Sequence, residues 1–173
     1  MVDDTLLWAR AQSGRITFNP ENINLSKLCD EIISQLILEQ EAKKISVKCL
    51  FAQDLMVYAD SFMLLIILRN LLGNAIKFSN TSDIIIISAE TDRTGVTIAV
   101  TDNGVGINPE GIKKLFDITQ VYSTKGTANE KGTGLGLIIC KDFVKMHKGK
   151  IWVESEKLIG STFKFYLPFK QSQ

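Results

Sequence analysis

The chain has 173 residues, 45% of them hydrophobic, which is enough for one domain with a sizeable core. Its 20 basic and 19 acidic residues leave a formal charge of +1, so no net electrostatic pull toward nucleic acid or an anionic lipid surface is expected. Cys29, Cys49 and Cys140 are odd in number and far apart, without metal-ligand spacing, and read as free thiols in a reducing cytoplasm.

Periodicity predicts a helix over 25–43, strands over 46–51 and 56–59, and a second helix over 60–79. Strands over 84–90 and 96–102 follow, the first opening with Ile84, Ile85, Ile86 and Ile87, a run expected to be buried on both faces or in a crowded core. A short helix over 109–115 begins at Pro109, which suits a first turn. A helix over 135–146 and strands over 150–154 and 162–167 complete the pattern. The expected architecture is an α/β, two-layer sandwich, a mixed sheet backed by helices, with no internal repeat. The apolar run 62–68 ends at Arg69, too short to span a bilayer, and there is no signal-sequence pattern.

Three of these segments carry chemistry. On the 60–79 helix, Asn70, Asn74, Lys77 and Phe78 share one stripe, while Leu64, Leu65, Leu68, Leu72, Ala75 and Ile76 fall around the other side. Carboxamide oxygens are hard, neutral ligands, suited to a magnesium ion that keeps most of its waters and binds phosphates as well. Asp102 ends a strand and is followed by Asn103, Gly104, Val105, Gly106 and Ile107; the glycines fit a tight turn or a close approach of backbone to a ligand. The run Gly132, Thr133, Gly134, Leu135, Gly136, Leu137 leads straight into an apolar helix, so free amides and the positive end of the helix dipole offer an anion site.

With these motifs in this order, the chain resembles the catalytic, ATP-binding domain of a bacterial sensor histidine kinase, in the GHKL superfamily with the Bergerat fold. The likeness covers roughly residues 22–168. Residues 70–78 resemble the N box, 102–107 the first glycine box, 115–117 a short phenylalanine box, 132–137 the second glycine box, and 160–163 the terminal glycine motif. The resemblance implies ATP and Mg2+ as cofactors. Asp102 would accept a hydrogen bond from the adenine amine, with Thr162 completing the contact through water, and Phe78 and Ile107 would wall the base. Gly104 and Gly106 would shape that pocket. Asn74 would be the principal magnesium ligand, Asn70 a second ligand or support, and Lys77 a phosphate contact; these three would be the catalytic residues. The amides of Gly132, Gly134, Leu135, Gly136 and Leu137, with Thr133 close by, would hold the phosphates. Residues 117–133 would form a mobile lid carrying Tyr122 and Lys125.

In ATP-hydrolysing branches of that superfamily a glutamate holds the place of Asn70. An amide cannot take a proton from water near neutral pH, so Asn70 argues for phosphoryl transfer to another acceptor. The phenylalanine box lacks the usual basic residue, and Lys125 is the nearest substitute. The acceptor is also missing: the sole histidine, His147, sits near a helix end, where a structural role favouring the dipole is expected. Residues 1–14 are read as the end of a dimerisation and phosphoacceptor hairpin helix and 15–170 as the catalytic domain, so the chain is expected to be a monomeric, cytoplasmic fragment of a parent that is possibly membrane-anchored. Its expected partners are the histidine-bearing dimerisation hairpin of the same protein and a response-regulator receiver domain, with no nucleic acid and no direct membrane contact. The alternative is an ATP-gated or degenerate nucleotide-binding module without transferase activity; a related serine-kinase anti-sigma factor is a third class, against which the 3–12 segment and the second glycine box speak.

Overall fold

The computed structural model describes residues 4–117, 119, 124–130, 132 and 134–169. In chain order these form α1 (Asp4–Gln12), β1 (Pro20–Asn24), α2 (Leu25–Gln35), α3 (Ile37–Lys43), β2 (Ser46–Leu50), β3 (Met56–Asp60) and α4 (Ser61–Phe78). The second half contributes β4 (Ile84–Thr91), β5 (Gly95–Asp102), α5 (Pro109–Lys114), α6 (Gly136–Met146), β6 (Lys150–Glu156) and β7 (Gly160–Pro168). One five-stranded sheet runs β2-β4-β5-β7-β6, parallel between β2 and β4 and antiparallel elsewhere. Strands β1 and β3 form a separate antiparallel pair.

Period-2 alternation places Ile85 and Ile87 of β4, Ile98 and Val100 of β5, and Phe163, Phe165 and Leu167 of β7 on the helix-covered face, all buried. Each such side chain contributes roughly 1.5–3 kcal/mol relative to exposure. The two layers agree with the expected sandwich. The isoleucine run does not behave as expected, however: Ile84 is 41% exposed and Ile86 half-buried, because helices cover only one side of the sheet. Helix α4 is central to the core, with Leu64, Ile67, Leu68, Leu71 and Leu72 buried. By length and composition alone it could cross a bilayer, which the shorter apolar run in the sequence did not suggest. Its start is fixed by Asp60, whose Oδ1 accepts the Met63 amide at 3.0 Å.

Two local differences from the periodicity have physical causes. The 25–43 helix breaks at Leu36 into α2 and α3, and Gln40 Nε2 donates across the break to the Ile33 carbonyl at 2.7 Å. Strand β1 escapes propensity altogether, since Pro-Glu-Asn-Ile-Asn is a poor strand sequence; it is held by pairing with β3.

His147 turns out to be a buried clip. Its Nε2 accepts the Asp60 amide at 3.0 Å, its Nδ1 bonds the Phe143 carbonyl at 2.7 Å, and Phe18 meets its ring edge-on at 4.8 Å. Nδ1 therefore carries the proton and the ring is neutral. Burial, opposed by the Phe143 carbonyl and by Asp60, lowers its pKa from the ordinary 6.5, so a dipole-favoured charge is the wrong reading of this residue. Below pH 6.5 the unfolded chain takes up a proton that the folded chain resists, so this contribution to stability is complete above 6.5 and declines as the pH falls toward the lowered value. The melting temperature should accordingly drop as the pH falls below 6.5, and His147→Gln, which cannot titrate, should flatten that slope. An unchanged slope in the variant would assign the acid sensitivity to other groups.

Candidate functional site

Helix α4, the turn after β5, the entry to α6 and the segment around Lys125 enclose a cavity of about 650 Å³. Its volume suits a nucleotide-sized ligand. Asn70, Gly73, Asn74, Lys77 and Phe78 reach it from α4, as the helical stripe requires. Asp102, Gly106 and Ile107 line it from the β5 turn, and Gly132, Gly134, Gly136 and Leu137 from the approach to α6. Lys125 and Thr124 complete one wall.

Asp102 is 5% exposed, and its Oδ1 accepts the amides of Gly104 at 2.9 Å and Ser161 at 3.3 Å. No described residue donates to its other oxygen, which leaves an acceptor for a ligand. Burial raises the Asp102 pKa from the ordinary 3.8, against the pull of those two amides. The glycines here serve chain against chain. A methyl group on Gly104 would strike the Phe78 carbonyl, and one on Gly106, whose φ is +67°, would strike that of Glu156. Close backbone approach therefore packs this turn against the ends of α4 and β6, and Gly106 also lines the cavity.

At the other end, Asn70 Nδ2 donates to the Ile66 carbonyl at 3.0 Å, which leaves Oδ1 facing α6. A Cβ on Gly136 would sit 2.8 Å from that oxygen, so only glycine lets α6 approach without displacing it. Asn74 lines the cavity and bonds to no described residue. Lys77 Nζ stands 5.0 Å from the Phe78 ring centre; burial lowers its pKa, partly offset by Glu130. Helix α6 starts at Gly136 without a side-chain cap, so its first-turn amides open on the same space. Among the described residues no cluster of three His, Cys, Asp or Glu side chains could hold a metal. The neutral Asn70 and Asn74 oxygens, one oriented by the bond from its own amide nitrogen to Ile66 and one without a partner among the described residues, fit a magnesium ion that draws its remaining ligands from phosphate and water.

Several expected contacts fall elsewhere. Thr162 does not line the cavity: strand alternation turns it to the open face of the sheet, where its hydroxyl meets that of Thr101 at 3.2 Å. Ser161, one residue earlier and opposite Asp102 in the ladder, occupies the wall. Gly104 and Leu135 also lie off the cavity surface, and Tyr122 and Thr133 lie outside the described residues. The sequence reading also missed Ser155, whose hydroxyl accepts the Ile107 amide at 2.9 Å and bonds Ser161 Oγ at 2.6 Å, holding the pocket wall in place. Asp4 of α1 reaches the cavity too. The supposed lid is not free throughout: Gly126 and Thr127 bond to Glu130 and Lys77, respectively, through their amides at 3.0 Å.

Comparison with known proteins identifies the family and the fold. Residues 59–171 match the family of histidine kinase-, DNA gyrase B-, and HSP90-like ATPases. The chain is 31% identical to the sensor histidine kinase WalK of Bacillus subtilis, over all of this chain and 29% of WalK. The isolated catalytic domain of the histidine kinase ThkA superimposes with a TM-score of 0.76 at 30% identity, covering 88% of this chain and 99% of that one. ThkA in complex with the response regulator protein TrrA gives a TM-score of 0.74 at 25% identity, over 96% of this chain and 47% of ThkA. The chain spans less than half the length of the curated relatives it matches.

Proposed function

The chain belongs to the histidine kinase-, DNA gyrase B-, and HSP90-like ATPase family and has the fold of its histidine kinase catalytic domains, and we propose that it binds ATP with magnesium and donates the γ-phosphoryl group to a histidine on a dimerisation hairpin of the same protein. From there the group would pass to an aspartate of a response-regulator receiver domain. The observation that carries this reading is one cavity with a carboxylate oxygen that no described residue uses at one end and two carboxamides, a lysine and a helix start without a side-chain cap among the described residues at the other.

Asp102 would take the adenine amine, with Phe78 and Ile107 against the ring faces. Asn74 and Asn70 would hold magnesium, which supplies charge neutralisation between the phosphates. Lys77 and Lys125 would face the terminal phosphates, and the amides at the head of α6 would receive the others. Asn70 cannot serve as a base for water, and its amide is already committed to the helix through Ile66. Positioning and charge stabilisation are the whole of what these residues offer, which suits transfer to a better nucleophile than water. We assign residues 1–14, including α1, to the end of the hairpin, 15–170 to the catalytic domain, and the domain to the cytoplasm, where ATP is available.

The 173-residue chain should bind ATP, hydrolyse it slowly and label itself little. Fused in cis to a dimeric helical hairpin bearing a histidine, it should incorporate acid-labile phosphate on that histidine. Tight ATP binding with no transfer in the fusion would favour a nucleotide-gated module; acid-stable label on serine or threonine would refute the histidine assignment.

A further inference from the structure

Lys43, the last residue of α3, is charged yet only 8% exposed, and none of the chemistry above uses it. Its Nζ donates to the carbonyls of Ile76 at 3.0 Å and Lys77 at 2.8 Å, at the end of α4. The same atom donates to Thr127 Oγ1 at 2.7 Å and pairs with Glu130 Oε1 at 2.7 Å. A cation at a helix C-terminus answers the unpaired carbonyls and the dipole there. Here it does so while gripping two residues of a different segment, 126–130.

That segment is closed on α4 by further bonds. The Thr127 amide donates to the Lys77 carbonyl at 3.0 Å and its hydroxyl to the Ser79 carbonyl at 2.6 Å. Glu130 Oε2 accepts the Ala128 amide at 2.9 Å, and the Gly126 amide donates to the Glu130 carbonyl at 3.0 Å. A methyl group on Gly126 would collide with Lys77 and with the Glu130 carboxylate. Burial pushes the Glu130 carboxyl up, but the hydrogen bond from Lys43 and those from the backbone amides of Glu130 itself and Ala128 outweigh it and hold the pKa below the usual glutamate range. Lys43 is itself fixed, its carbonyl accepting the Ser82 amide at 2.8 Å.

We propose that Lys43 is a positioning residue for the phosphate end of the nucleotide site: it ties segment 126–130 to the α4 terminus that carries Lys77, and so sets Lys125, the residue just before the tie, against the cavity. This rests on the nucleotide-site reading above. Lys43 touches no ligand itself. Its effect reaches a bound nucleotide through Lys125, and therefore through the terminal phosphate and not the base.

The test compares a non-hydrolysable β,γ-imido ATP analogue with ADP, both with magnesium, by calorimetry on the 173-residue chain. Lys43→Met, Thr127→Val and Glu130→Gln should each weaken the analogue about tenfold, the scale of a charge-assisted hydrogen bond acting at one remove, and leave ADP within about twofold. Lys125→Ala should do the same, and adding it to Lys43→Met should cost little more, because one pathway is broken twice. If Lys43→Met does not fold, the two exposed-side variants carry the same comparison. Equal losses for ADP and analogue, no loss in any folded variant, or full additivity with Lys125→Ala would each overturn the positioning role. A parent chain that binds neither nucleotide would overturn the nucleotide site itself, and this proposal with it.

Discussion

Asp102→Ala should weaken ATP binding by about 1.5–3 kcal/mol, roughly 10- to 150-fold, while the chain stays folded. The carboxylate is the one charged group at the base end of the cavity whose second oxygen is left unused by the described residues. The pH dependence sharpens the test. Because burial raises its pKa above 3.8, Asp102 should protonate at a higher pH than an ordinary aspartate and lose the acceptor that the adenine amine needs. Affinity should fall with pH sooner than an ordinary aspartate would allow, and Asp102→Asn should show a low and pH-independent affinity. Folding should respond in the opposite sense. A raised carboxyl pKa means that the ionised form costs folded-state stability above that pKa, so Asp102→Asn, which can still accept the Gly104 and Ser161 amides, should not melt earlier than the parent. Calorimetry showing parental affinity in Asp102→Ala would place the base elsewhere.

What the sequence revealed of this site depended on which contacts are local. The α4 stripe was legible because one periodicity within one helix places Asn70, Asn74 and Lys77 together, and the structure brings all three to the cavity. Asp102 was legible because it ends an apolar strand before two glycines. The contribution of β7 was placed one residue off. Thr162 and Ser161 look alike in the sequence, and only the ladder with β5 fixes which of them shares a face with Asp102. Strand β1 and the break at Leu36 were invisible for a related reason: pairing with β3 and the reach of Gln40 to Ile33 override weak local propensity. Lys43 was not singled out, since two of the partners that bury it, Thr127 and Glu130, lie more than eighty residues away. His147 was recognised as structural, but its neutral state needed the Asp60 amide and the Phe143 carbonyl to be seen on opposite ring nitrogens.

Asn74→Ala should remove most of the magnesium dependence of nucleotide binding and, in a chain fused to its histidine-bearing hairpin, lower phosphoryl transfer by on the order of 10²–10³-fold, the scale on which one preorganised electrostatic contact to a developing charge acts. Asn74 is half-buried on the cavity wall and bonds to no described residue, so no bond among the described residues competes with a ligand for its carboxamide. Asn70 differs, because its nitrogen is tied to Ile66 and its oxygen is confined by Gly136. Asn70→Ala should therefore disturb the packing of α4 on α6 as well as the metal, and its losses should appear in melting temperature too. Asn74→Ala should leave melting unchanged, since no bond within the described fold is lost. Asn74 would act on the nucleotide only through the metal, so affinity without magnesium should match the parent measured without magnesium, and most of the increment gained on adding magnesium should be lost. Titrations of an ATP analogue with and without magnesium that differ in Asn74→Ala as they do in the parent would show that Asn74 is not the ligand.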